Sequence, residues 1–417
     1  MEYIILKEVV LKGNRCEYIC EIPDSLSKYL VDVKQNLFIE LPAQYEANSV
    51  PEGILTIPFV GSFLCVSIMF NVGIKVPVLD QTFFERLSSV KDAYKKMFPY
   101  ADFCFDVLPD KMVDCTYEVQ QTPSIFFTGG LDATSALIDR IAEKPLLVNI
   151  WGGDLLLNDV DAHKELSHYF DRLTKQIGNQ YVFVKSNCRR YFNELELENR
   201  LAQIIKPEHN HGWWASIAHI LSMTTVIAPI EYLTRTGLHY IGSSYASNSI
   251  GFDANNLDMV KSIRYASCRF FLVDDNLDRN DKARKIINYC SKENLKVELK
   301  VCWFSTASHN CSHCEKCYRT MLNILSHHGD PNDYGFVIDS KGYKRMQRFA
   351  KYHEVNNAYW EENKKEFEAD ADYWRKNKDM SWILDVEFNN PRRLAIYKLY
   401  TKVRVFIGRI KRIIIGS

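Results

Sequence analysis

Residues 124–137 read Ser-Ile-Phe-Phe-Thr-Gly-Gly-Leu-Asp-Ala-Thr-Ser-Ala-Leu, and the fold follows from how this stretch changes character. An apolar run, Ile125 to Phe127, stops at Thr128-Gly129-Gly130. Asp132 then opens a helical pattern continued by Ala136, Leu137 and Ile138. Two glycines between a buried strand and a helix let the backbone turn tightly and present bare N–H groups to an anion. The hydroxyls of Thr128 and Thr134 add donors to the same nest. The stretch is neither a Walker A loop, which needs Gly-Lys-Ser/Thr, nor a dinucleotide fingerprint, which needs a third glycine. A plain structural strand–turn–helix unit is the bland alternative.

Downstream, Cys302, Cys311, Cys314 and Cys317 are spaced C-x8-C-x2-C-x2-C. Each x2 interval lets neighbouring thiolates face one ion, and the x8 loop returns the fourth. Four sulfurs with no spare position describe a closed structural Zn2+ site, although a disulfide or an iron–sulfur cluster can use similar spacing. His309 and His313 lie within the knuckle, and four cysteines already satisfy a metal. A helix from Tyr318 to Ser326 is expected to follow.

The loop resembles the Ser-Gly-Gly-x-Asp-Ser pyrophosphate loop (PP-loop) of the N-type ATP pyrophosphatases, within the adenine-nucleotide α-hydrolase-like superfamily. With the four-cysteine knuckle behind it, the stretch 120–330 resembles the 7-cyano-7-deazaguanine synthase family. Three departures stand out. Thr128 and Ala133 replace the first and last serines of the loop, Ser312 replaces the glycine after the second knuckle cysteine, and the flanking regions are extra. The resemblance implies a ligase that uses ATP and Mg2+ to adenylate a substrate oxygen, with a nitrogen nucleophile then displacing AMP. Thr128, Gly129, Gly130, Leu131, Asp132 and Thr134 would hold the phosphates, and Asp132 would also help place Mg2+. A thiolating relative would need a reactive cysteine, for which Cys188 and Cys268 are the candidates. A nucleotide-binding module without turnover is the third reading, favoured by Ala133.

Alternating strands and helices over 119–330 predict an α/β fold with a doubly wound parallel sheet. The expected strands are 124–127, 146–151, 181–184, 239–242 and 296–303. In such sheets ligands sit at the carboxyl ends of strands, beside the switch in strand order. That rule selects Trp151 and Gly152, with Asp154 either taking a ribose hydroxyl or capping the next helix. It also selects Lys185 as a phosphate contact and Gly242-Ser243 as a small-residue turn. The hydroxyl-rich loop of Tyr245, Ser247 and Asn248 is the expected acceptor site. Arg279 and Lys282, at the start of an expected helix 281–290, are cations that a triphosphate or the neighbouring Asp274-Asp275 would offset. Trp213 and Trp214 precede an apolar helix holding His219; packing is the simpler reading for all three.

Three regions are expected. Residues 1–118 read as a β-rich accessory domain, with strands at 3–11, 16–22, 36–41, 54–58 and 63–69, then a helix over 81–97. The ATP pyrophosphatase-like domain with its knuckle spans 119–330. A helical extension spans 331–417, and its segment 392–417 carries eight Lys or Arg and no acid among apolar residues. Such a segment suits an anionic membrane surface, a partner protein, self-packing or RNA phosphates.

A chain of 417 residues, 47% hydrophobic and 25% charged, is large enough for two or three globular domains. Its zero net charge gives no global argument for nucleic acid. The eight cysteines outside the knuckle lie mostly among apolar neighbours and read as reduced core thiols, so a cytoplasmic location is expected. The start of the chain does not read as a signal peptide, and no run approaches the ~18 uninterrupted apolar residues of a membrane span. The acceptor, small or macromolecular, is left open by the sequence, and a homodimer is among the expected assemblies.

Overall fold

The computed structural model describes residues 2–31, 35–244, 252–302 and 309–399. The chain divides into two compact units, Met1–Thr128 with Asp132–Leu277, and Gly129–Leu131 with Asp278–Ser417.

The first unit is built on one 11-stranded sheet. In chain order its strands are β1 (Tyr3–Lys12), β2 (Arg15–Glu21), β3 (Leu37–Glu40), β4 (Gly73–Asp80), β5 (Val107–Val113), β6 (Ser124–Phe126), β7 (Leu146–Trp151), β8 (Tyr181–Ser186), β9 (Leu238–Gly242), β10 (Arg264–Tyr265) and β11 (Cys268–Val273). Their spatial order is β10-β11-β9-β6-β7-β8-β3-β2-β1-β4-β5. The run β11-β9-β6-β7-β8 is parallel throughout. From β6 the chain winds outward through β7 to β8, then crosses back to place β9 on the other flank of β6. This is a doubly wound arrangement whose switch point lies between β6 and β9. The fold is therefore α/β, as the alternation of patterns predicts.

Residues 3–113 do not form a sheet of their own. β3 pairs antiparallel with β8, so the N-terminal strands extend the same sheet. The compact units part at Leu277/Asp278 rather than near 118 or 330.

Two expected strands are helical. Residues 54–58 and 63–69 fall in the helices Glu52–Leu55 and Ile57–Phe70. Nearly every residue of the longer helix is buried, and a helix buried all round has no polar face to reveal its period. It packs on the helix His219–Val226, where a Cβ on Gly61 would lie 2.0 Å from Thr225 Oγ1. Only glycine permits that approach. The stretches Glu52–Phe70 and Trp214–Leu233 are long and apolar enough to cross a membrane, which the reading of uninterrupted runs did not reveal; both are mostly buried in the protein.

The expected helix over 81–97 is observed as Gln81–Met97, capped by Asp80, whose carboxylate accepts from Phe83 N at 2.9 Å. The expected strand at 296–303 is not formed: residues 295–302 are irregular, and Trp303 lies outside the described residues.

The second unit is helical, with helices at Arg279–Glu293, Glu315–Leu325, Ser340–Tyr352, Asn357–Ala369 and Ala371–Lys376. Trp360, Phe367 and Trp374 fill its core. Three buried amides cross-link it: Asn323 Nδ2 donates to Asn280 Oδ1 and to Asn363 Oδ1, each at 2.8 Å. Residues 391–399 are helical, with Ile396 and Leu399 exposed, and the rest of the basic tail lies outside the described residues.

Candidate functional site

The glycine loop leaves the carboxyl end of β6. Its geometry is set by a few hydrogen bonds and one left-handed residue. Phe127 N donates to Val148 O at 2.9 Å, and Asn149 Nδ2 donates to Phe127 O at 2.8 Å, so the strand end is held to β7. Gly129 then takes a φ of 77°, in the left-handed region that favours glycine. The helix Leu131–Arg140 begins two residues later, with Asp132 in its first turn. Gly129 O accepts from Lys300 N at 2.7 Å.

On the other side of the switch point, β9 ends in Gly242-Ser243. A Cβ on Gly242 would lie 2.8 Å from Asp132 O and 3.2 Å from Ala133 N. The end of β9 thus abuts the first turn of the helix that follows β6, and glycine is needed for steric reasons alone. Ser243 N donates to Val273 O at 2.9 Å, carrying the contact on to β11. Just beyond β11, Asp274 has a φ of 62° and its buried carboxylate accepts from Ser135 Oγ at 2.6 Å. Thr134, 1% exposed, has a hydroxyl without a hydrogen-bond partner among the described residues. A buried, unspent donor beside a helix N-terminus fits an oxyanion.

The structure thus groups Thr128, Asp132, Thr134, Gly242 and Ser243 about the switch point and adds Ser135 and Asp274. From sequence, Ser135 stands out only as a hydroxyl close to the loop and Asp274 only as a partner for Arg279 and Lys282; the strand β11, which brings Asp274 to Ser135, was not expected. Tyr245, Ser247 and Asn248 lie outside the described residues.

Trp151 ends β7 and Gly152 follows it in a turn. The Trp151 indole stacks on the His163 imidazole, with centroids 3.7 Å apart and planes within 17°, and donates to Leu156 O at 3.0 Å. Lys185 Nζ lies 4.7 Å from the Trp151 ring and 3.9 Å from Glu40 Oε1. Burial, and then the Lys185 charge, pull the His163 pKa below its ordinary value. Gly152 has a φ of 111°, and a Cβ there would sit 1.8 Å from Ser186 O. Asp154 caps no helix; it pairs with Arg189 at 2.9 Å, while Asp159 caps the helix Val160–Ile177. Trp213 is buried, whereas Trp214 is half-buried under the Arg189 guanidinium, 4.5 Å from its ring.

Arg279 and Lys282 belong to the second unit and are buried in the first turn of the helix Arg279–Glu293, which Asp278 caps. The Arg279 guanidinium lies 5.7 Å from the Tyr359 ring, with Arg319 4.4 Å from the same ring.

The knuckle cysteines converge. The sulfurs of Cys302, Cys311, Cys314 and Cys317 all lie within 4.8 Å of one another, with Cys302–Cys314 at 3.9 Å and Cys311–Cys317 at 3.8 Å. A tetrahedral site with metal–sulfur bonds of about 2.3 Å requires sulfurs roughly 3.8 Å apart. The cluster is therefore shaped for one ion. Asn310 shapes it: its Oδ1 accepts from Val301 N at 3.0 Å, and its Nδ2 donates to Leu299 O and Gly335 O, pinning the limb before Cys302 to the limb before Cys311. Cys314 also caps the helix Glu315–Leu325, accepting from Cys317 N at 3.4 Å. His309 and His313 are exposed and stand outside the four-sulfur cluster.

Cys188 and Cys268 are buried, and burial raises both thiol pKa values, the opposite of what a reactive thiolate needs.

Fold and sites together define an α/β protein with a doubly wound sheet, a glycine loop at its switch point and a four-cysteine cluster. No protein-family model matches the chain, and neither the curated proteins nor the solved structures include a significant match to it.

Proposed function

We propose that the protein is an ATP-dependent adenylating enzyme of the N-type pyrophosphatase kind. The observation that carries this reading is the start of the helix after β6, at the β6–β9 switch point, where Gly242 abuts Asp132 and Ala133 and the buried Thr134 hydroxyl has no hydrogen-bond partner among the described residues. Backbone N–H groups of the loop and the hydroxyls of Thr128 and Thr134 bind the β and γ phosphates of ATP. Asp132 is suited to hold Mg2+, a hard cation that neutralises phosphate charge when bound. Asp274 accepts from Ser135, in the second turn of that helix, and so ties the helix to the end of β11.

A substrate oxygen attacks the α phosphorus, forming a P–O bond as the bond to pyrophosphate breaks. A nitrogen nucleophile then attacks the activated carbon, and AMP leaves. The protein contributes positioning and charge neutralisation, the two effects that do most to speed phosphoryl chemistry. Zn2+ in the four-cysteine cluster is structural in this reading, holding the knuckle to the helix Glu315–Leu325. The cytoplasm, where thiols stay reduced, suits both the zinc ligands and the buried free cysteines. An anionic membrane surface or a partner protein remains the proposed contact of residues 392–417, and a homodimer the proposed assembly.

Pyrophosphate exchange into ATP tests the reaction, run with Mg2+ over a panel of carboxylates that includes carboxy-deazaguanine. Exchange dependent on one carboxylate and abolished by Asp132→Ala supports adenylation. ATP hydrolysis to ADP and phosphate, with no exchange, refutes it. Measured nucleotide binding without any turnover favours the binding-module reading, to which Ala133 points.

A further inference from the structure

The second unit contains a cavity of about 220 Å3 away from its cysteine cluster, walled by Tyr343, Tyr373 and Trp374 and edged by Asp330 and Asp379. The aromatic wall is preorganised. Tyr373 and Trp374 meet edge to face at 4.8 Å, and Phe367 backs Trp374 at 4.6 Å. His328, held at a φ of 60°, stacks on Trp374 with planes within 5° and lies edge-on to Tyr373 at 4.6 Å. Its own Nε2 is 3.3 Å from Asp370, so its charge, when present, is directed to that carboxylate.

The two acids are not neutralised. Asp330 Oδ1 accepts from Asn332 N and Nδ2, and neither Asp330 nor Asp379 has a cation within 4.0 Å among the described residues. Both carboxylates face Tyr343, and after burial they are the groups that raise its phenol pKa.

We propose that this cavity binds a small organic ammonium ion. Aromatic faces attract a cation through their quadrupole, at solvent-exposed rings such as Tyr373 as well as at buried ones. The two carboxylates supply the countercharge. The cavity is smaller than the roughly 300–1,000 Å3 of pockets that hold drug-sized ligands, so the ligand has only a few carbons.

Calorimetric titration of the full chain with choline, against its neutral isostere 3,3-dimethylbutan-1-ol, tests this. Saturable choline binding is expected, with the alcohol at least about tenfold weaker. Asp379→Asn and Tyr373→Leu should each weaken choline by roughly fivefold or more. The Tyr373 side chain is half exposed, so Tyr373→Leu keeps the test valid if the Asp379 variant fails to fold. Absence of choline saturation at tens of millimolar, equal binding of the alcohol, or unchanged choline binding in folded variants would each overturn the proposal.

Discussion

Single atoms decide the candidate nucleotide site. Gly242 has room for a hydrogen and nothing larger, because a Cβ would press on the Asp132 carbonyl at 2.8 Å. Gly242→Ala should therefore shift the first turn of the helix Leu131–Arg140. The expected cost is about 1–3 kcal/mol of stability, measured by urea unfolding, with nucleotide binding weakened at least tenfold. His163 provides a pH signature. Its pKa is depressed below 6.5 in the folded protein, so the unfolded chain binds the additional proton as pH falls. Stability is then at its full value above 6.5 and declines as pH drops from there toward the folded pKa. Lys185→Met removes the second cause of the shift. NMR titration of His163 should show its pKa rising in that variant, and the stability loss between pH 7.5 and pH 5 should shrink.

Elements are held together by a few buried polar groups. At the opposite end of the sheet from the glycine loop, Ser124 on β6 and His239 on β9 are register partners. Ser124 Oγ lies 2.7 Å from His239 Nδ1 and donates to Glu231 at 2.8 Å, with Glu231 Oε1 also 2.8 Å from His239 Nδ1. All three side chains are fully buried, so this cluster joins the helix Ala228–Leu233 to the two central strands. Glu231→Ala strands two polar partners and should cost about 3–5 kcal/mol in urea unfolding. Loss of no more than a few tenths would show the cluster to be solvated. In the knuckle, one Zn2+ per chain is expected, with X-ray absorption giving four sulfurs at about 2.3 Å. Cys314→Ala should release the metal and lower the helical circular dichroism signal, because Cys314 also caps the helix Glu315–Leu325 and alanine cannot.

Across the whole molecule, what the sequence disclosed depended on how each segment is buried. The β6–loop–helix unit, β7, β8, β9 and the four cysteines were legible because their signals are local: an apolar run cut by glycines, or fixed thiol spacing. The helix Ile57–Phe70 was not, since a segment buried on every side has no periodicity and its Phe, Val and Ile content imitates a strand. β4 and β5 carry Pro77 and Pro109, which argue against strands from sequence; in the fold, β1 pairs only with residues 73–75 of β4, and β5 is a sheet edge. The switch point itself depends on long-range pairing of β6 with β9, which no local pattern encodes. That pairing supplies Gly242 and, through β11, Asp274. The measurement that tests the central claim most directly is calorimetric binding of Mg2+ and α,β-methylene-ATP to the wild type and to Thr134→Val, which keeps the volume and removes the hydroxyl. Saturable one-to-one binding that falls at least tenfold in the variant is the predicted result; no binding, or binding indifferent to Thr134, contradicts it.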